Sequence, residues 1–129
     1  MRKNPLIIYG PTLFYMMVIF VLSSIPKLKP PDLGLRPMDK VAHALEYAVL
    51  GVLLFRSASF RYEPGLRFFI ILSCIGILYG ISDEIHQAFV PHRVSSVWDV
   101  AADTAGIILG LLIAGLWRIR RRLPGLFFY

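Results

Sequence analysis

The sequence predicts an all-α, polytopic membrane protein: a single domain built as a four-transmembrane-helix bundle with both termini cytoplasmic. Three observations carry that expectation. Only 17% of the 129 residues are charged against 57% hydrophobic, with a mean hydropathy of +0.65. A soluble domain uses about 25% charged residues to face water, so a bilayer is the expected partner of this chain. Four stretches each approach the roughly 20 apolar residues that cross a bilayer as a helix. The basic residues behind the net charge of +6 stand at the ends of these stretches and form no single stripe. That spacing points to membrane-interface anchors and excludes nucleic acid as a partner.

The first span, residues 6–25, holds no charged residue. Gly10-Pro11 near its start permits a bend at low cost, because a proline early in a helix removes few hydrogen bonds. Arg2 and Lys3 precede it, but the apolar stretch exceeds a signal-peptide core and no small-x-small site follows, so a retained helix is expected. The second span covers about 38–55, the third 66–90 and the fourth 97–117. PKLKPPDLGLRP, from Pro26 to Pro37, has four prolines and cannot form a regular helix. Residues 57–65 and 91–96 are short connectors.

With four spans, nine basic residues fall on the side of the termini and five on the other, which places both termini in the cytoplasm. Trp117 and the closing LFFY then sit at the inner interface. The expected location is the bacterial cytoplasmic membrane. Cys74 excludes an internal disulfide or a cysteine-based metal cluster within one chain. Within FFIILSCIGILYG it is expected to be a small buried residue.

Six of the eight acids, all in the second to fourth spans, and all three histidines gather toward the side away from the termini. Each of three spans shows them at helical spacing. The second carries Asp39, Lys40, His43, Glu46 and Tyr47, running on to Leu50; the third carries Tyr79, Asp83, Glu84, His86 and Gln87. The fourth carries Ser96, Asp99 and Asp103, and the stripe then turns to Gly106 and Gly110. At about 1.5 Å per residue, Glu46, Asp83 and Asp103 lie roughly 10 Å below the helix ends. Ionisable groups at that depth face the bundle interior or a wet cavity, so a polar pocket open to the outside is expected. Gly106-x-x-x-Gly110 lets a neighbouring helix approach closely below it. Structural roles compete for some positions. Ser95 or Ser96 can cap the fourth helix with Asp99 favouring its dipole, and Asp39 can cap the second with Lys40 snorkelling. Arg93 can pair with an acid, His43 and His86 can be hydrogen-bonding residues, and His92 reads as a loop residue.

These residues resemble the VanZ-like family, named for a teicoplanin-resistance membrane protein. The resemblance rests on DKVAHALEYAVLG, GISDEIHQAFVPHR and SSVWDVAADTAGIILG, and covers roughly residues 13 to 114. Two positions depart from the family pattern: His92 stands where glycine is typical and Asp103 where asparagine is frequent. The resemblance implies a small bacterial membrane protein of the cell envelope, linked in some members to reduced susceptibility to lipid-anchored glycopeptide antibiotics.

Three functions follow as expectations. In the first, the pocket binds a lipid head group, a wall precursor or an amphiphilic glycopeptide, with Arg93 and Lys40 meeting anionic groups. A second is an intramembrane acid–base or metal-dependent enzyme acting on a lipid-linked substrate. His43, Glu46 and Asp83 would be its base or metal ligands, supported by Glu84 and Asp99. His43-x-x-Glu46 and Asp83-x-x-His86 do not by themselves identify a metal, and no cofactor is named by the sequence. In the third, the bundle is a small helical subunit that packs against membrane-protein partners.

Overall fold

Local chemistry sets where the helices start and stop. A computed structural model describes residues 4–26 and 38–122, with four helices and no strand among them: α1 Pro5–Ser23, α2 Met38–Ala58, α3 Leu66–Ala88 and α4 Val97–Arg122. At the start of α1, Asn4 Oδ1 accepts the Leu6 N–H at 3.0 Å and Pro5 takes a first-turn position that needs no hydrogen bond. Ser96 Oγ likewise accepts the Trp98 N–H at 3.2 Å and caps α4. Asp99 is therefore left for another role. All four helices are long and apolar enough to cross a membrane, with best-window mean hydropathies of 2.0, 1.3, 1.8 and 1.9. The lowest belongs to α2, which carries Asp39, Lys40, His43 and Glu46.

The helix ends differ from the spans read from hydropathy. α1 stops at Ser23, two residues before Ile25, and α3 at Ala88, two before Val90. In α3 the Phe89 and Val90 N–H groups turn onto the His86 and Gln87 carbonyls ahead of Pro91. α2 runs on to Ala58 and α4 to Arg122. Hydropathy marks where the apolar stretch ends; arginine is a good helix former and suits a helix C-terminus, so α4 continues past Trp117.

Successive helices run antiparallel, so Pro5 and Arg122 lie at one end of the bundle. There Arg56 donates to the Ile7 and Ile8 carbonyls of α1, each at 3.4 Å, and Arg118 to the Ser59 carbonyl at 3.3 Å. The Ile7 carbonyl is the one Pro11 cannot serve, four residues on and lacking an N–H, so α2 supplies the hydrogen bond that the proline withholds. This is the basic end; the opposite one is the acidic end. The 27–37 linker, Arg2 and Lys3, and LFFY lie outside the described residues, as do Lys27, Lys29 and Arg36 of the charge count.

The closest helix pair is α2 with α4. A Cβ on Gly106 would collide with the Ala44 carbonyl, one on Gly110 with the Ala48 carbonyl, and one on Gly51 would stand 2.6 Å from the Ile107 carbonyl. The Gly106-x-x-x-Gly110 face therefore seats α2 directly on α4. Alongside this contact, Leu50, Ile107 and Leu111 are almost wholly buried, and farther along α2 Phe55 meets Phe68 edge-on at 5.3 Å. The outer faces are apolar, as with Leu6, Phe14 and Leu78, and suit lipid. Cys74 lies on such a face: it is exposed on α3, which corrects the expectation of burial. In lipid, apolar surroundings do not distinguish the core from the periphery.

Candidate functional site

At the acidic end the polar stripes of α2, α3 and α4 turn toward one another. The periodicity of the sequence places them there: Asp39, His43 and Tyr47 recur every fourth residue on α2, as do Asp83 and Gln87 on α3 and Asp99 and Asp103 on α4. Asp83, Glu84, Gln87, Asp99 and Asp103 are all buried, and Tyr47 is completely so.

Their partners form two layers. Nearest the helix ends, Lys40 Nζ bridges Asp39 Oδ2 at 3.2 Å and Asp99 Oδ1, which it contacts closely. Lys40 is thus held as a counter-ion between α2 and α4. Asp99 pairs across the interface while Ser96 does the capping. One turn deeper, His43 Nδ1 meets Asp103 Oδ1 at 3.0 Å. Glu84 Oε2 accepts the Ser96 N–H at 2.9 Å, which ties α3 to the start of α4. Asp83 Oδ2 accepts from Gln87 Nε2 at 2.8 Å. Four buried polar atoms have no hydrogen-bond partner among the described residues: the Tyr47 hydroxyl oxygen, Asp83 Oδ1, Glu84 Oε1 and Asp103 Oδ2. Such atoms are costly in a low-dielectric interior unless something meets them.

A cavity of about 290 Å³ opens among α1, α2 and α3. Asp39, His43, Glu46, Asp83, Gln87 and Arg93 line its polar wall; Ile19, Leu22, Ser23 and Ala42 line the rest. Six of the twelve residues singled out from the sequence therefore face one cavity. Glu46 has no side-chain hydrogen bond among the described residues. Lys40, Tyr47, Glu84, Asp99 and Asp103 pack around this wall without lining it.

Two residues stand elsewhere in role. His86 Nε2 meets Ser24 Oγ at 2.9 Å and its ring stacks near Phe20, with centroids 4.5 Å apart, so it fastens α3 to the end of α1. Arg93 lines the cavity but pairs with no acid among the described residues; it donates to the Leu22 carbonyl at 2.8 Å and the Ile25 carbonyl at 3.2 Å. It thereby ties the loop after α3 to the chain at and just beyond the end of α1.

The contribution of α1 to the cavity was missed in the sequence, since a span without charge offered no polar stripe. The pair Ser23-Ser24 was the available signal. His92 adopts φ 65°, the only positive φ of a non-glycine residue among those described. Glycine is favoured there for want of a Cβ, which explains its frequency at this position in the resembling family. Donor atoms of His43, Glu84 and Asp103 lie within 4.8 Å of one another, as do those of Asp39, His43 and Asp99. Neither group includes Glu46 or Asp83. A profile of the VanZ/LLP1 family matches residues 6–118, while no curated protein and no solved structure matches the chain.

Proposed function

The chain belongs to the VanZ/LLP1 family, and on that premise we propose that it is an envelope protein of the bacterial cytoplasmic membrane whose cavity receives the polar head of an amphiphile. The acidic end then faces outward and both termini face the cytoplasm. The observation that carries this reading is the composition of the cavity wall. Asp39, Glu46, Asp83, the Gln87 amide and His43 line it together with the apolar Ile19, Leu22 and Ala42. A half-polar, half-apolar wall suits a molecule that is itself half of each.

Size and charge narrow the ligand. Ligand pockets run from about 300 to 1,000 Å³, and this one, at about 290 Å³, suits a single head group rather than a whole glycopeptide. Three carboxylates against Arg93 and His43 favour hydrogen-bond donors such as hydroxyl, amide N–H or ammonium groups. Phosphate recognition by Lys40 and Arg93 is less favoured, because Asp39 and Asp99 occupy the first and the Leu22 and Ile25 carbonyls the second. The ligand class is therefore a donor-bearing lipid head, a lipid-linked wall precursor, or the part of a lipid-anchored antibiotic that enters the membrane boundary.

The test is native mass spectrometry of protein in nanodiscs offered a panel of amphiphiles with ammonium, sugar or bare phosphate heads. Retention of the donor-bearing heads, weakened at least about tenfold (~1.4 kcal/mol) by Glu46→Leu or Asp83→Leu, is expected. Equal retention by wild type and variants overturns the reading.

A further inference from the structure

Two trios at the acidic end share His43 and differ in what balances their charge. In the trio of Asp39, His43 and Asp99, a cation is already present, because the Lys40 ammonium bonds both carboxylates. The trio of His43, Glu84 and Asp103 has no such partner. No Lys or Arg forms an ion pair with Glu84 or Asp103 among the described residues, and only His43 stands beside Asp103.

This second trio is also the more deeply buried. Glu84 is 3% and Asp103 1% exposed, yet Glu84 Oε1 and Asp103 Oδ2 each lack a hydrogen-bond partner among the described residues. The fully buried Tyr47 hydroxyl lacks one too. Its ring is close by: Tyr47 Cε1 and Asp103 Oδ2 both lie 3.3 Å from the point where a Cβ on Gly80 would stand. Two carboxylates in a membrane interior, with one imidazole between them, are expensive without a further positive charge.

From these observations the geometry points to a divalent-cation site formed by His43, Glu84 and Asp103, which joins α2, α3 and α4 around a transition ion of the zinc or manganese class. Two carboxylates match the double positive charge. The imidazole nitrogen selects a transition ion over magnesium or calcium, and the absence of sulfur excludes a soft-metal site. Donors on one such ion at about 2.1 Å stand no more than about 4.2 Å apart. Three donors sharing a tetrahedral ion stand only about 3.4 Å apart, so the present separations, within 4.8 Å, call for side-chain rotations that close them by up to about 1.4 Å. The site shares His43 with the cavity wall, but Glu84 and Asp103 do not line the cavity, so the two readings are tested through different residues.

The experiment uses the full chain in detergent, stripped with chelator and titrated with zinc, manganese or magnesium. Bound metal is measured by plasma mass spectrometry and stability by thermal unfolding. One equivalent of zinc or manganese with a raised Tm, and neither effect with magnesium, is expected. Asp103→Asn and Glu84→Gln are expected to weaken binding more than about 100-fold, beyond the loss typical of residues that merely support a ligand. Asp39→Asn and Glu46→Gln are expected to leave it unchanged. No binding by folded wild type overturns the site, as does binding that survives Asp103→Asn and Glu84→Gln or is lost in Asp39→Asn. If those two ligand variants fail to fold, cobalt-loaded wild type decides: a ligand-field absorption band of nitrogen–oxygen coordination supports the site, and the spectrum of the hydrated ion overturns it. Head-group binding in metal-free protein is measured separately, so failure of one reading does not imply failure of the other.

Discussion

At the basic end, Arg118 and Arg122 each reach Glu63 across 3.3 Å, but Glu63 is 74% exposed. Arg121 lies 3.7 Å above the Trp117 ring, close to the end of α4. At the acidic end, Lys40 and His43 reach Asp99 and Asp103, whose side chains are only 5% and 1% exposed. The same chemistry therefore has different energetic meaning at the two ends. Exposed pairs are screened and easily replaced by water, so the basic end serves as an anchor. Buried pairs hold each other in a medium that tolerates neither partner alone, so the acidic end is bound by its charges.

The largest expected effect comes from separating the helices that hold the acidic end together. Gly110→Val drives a branched side chain into the Ala48 carbonyl and should cost about 3 kcal/mol or more. In detergent its thermal unfolding should lose cooperativity; an unchanged melt would mean that α2 and α4 do not meet there. Next comes Lys40→Met, which leaves Asp99 buried without its cation. A loss of roughly 2 kcal/mol is expected, below the range for fully buried pairs because Lys40 itself is partly exposed. Adding Asp99→Leu to Lys40→Met should restore most of that loss, and chemical unfolding of the single and double variants measures it.

His92→Gly sharpens the comparison from the loop side. It relieves the left-handed backbone at φ 65° and should raise stability by up to about 1 kcal/mol, offset in part by the freer unfolded chain. A lowered Tm would count against this account of the turn. The smallest effect belongs to the basic end: Arg118→Ala should change stability by about 0.5 kcal/mol. A loss as large as that of Lys40→Met would erase the distinction between the ends.

Much of this arrangement was legible before any coordinates. Four charge-poor stretches marked the helices, and the recurrence of Asp39, His43 and Tyr47, of Asp83 and Gln87, and of Asp99 and Asp103 marked one polar side on each of three. Gly106 and Gly110 marked a close approach. Other features were hidden for physical reasons. Arg93 binds backbone carbonyls, which every residue possesses, so no sequence pattern could distinguish them as its partner. His86 engages Ser24 and Phe20 on a helix whose own pattern carried no polar stripe. Cys74 lies among apolar neighbours that read alike whether they face lipid or the core.

Span number and the polar face of each helix were determined by the sequence alone, because hydropathy and the 3.6-residue period are properties of neighbouring residues. Which acid meets which cation was decided only by the tertiary structure. Lys40 and Asp99 are 59 positions apart, and His43 and Asp103 are 60. Whether such residues touch depends on how α2 and α4 are rotated and seated on each other, and the glycine contact between them sets that register.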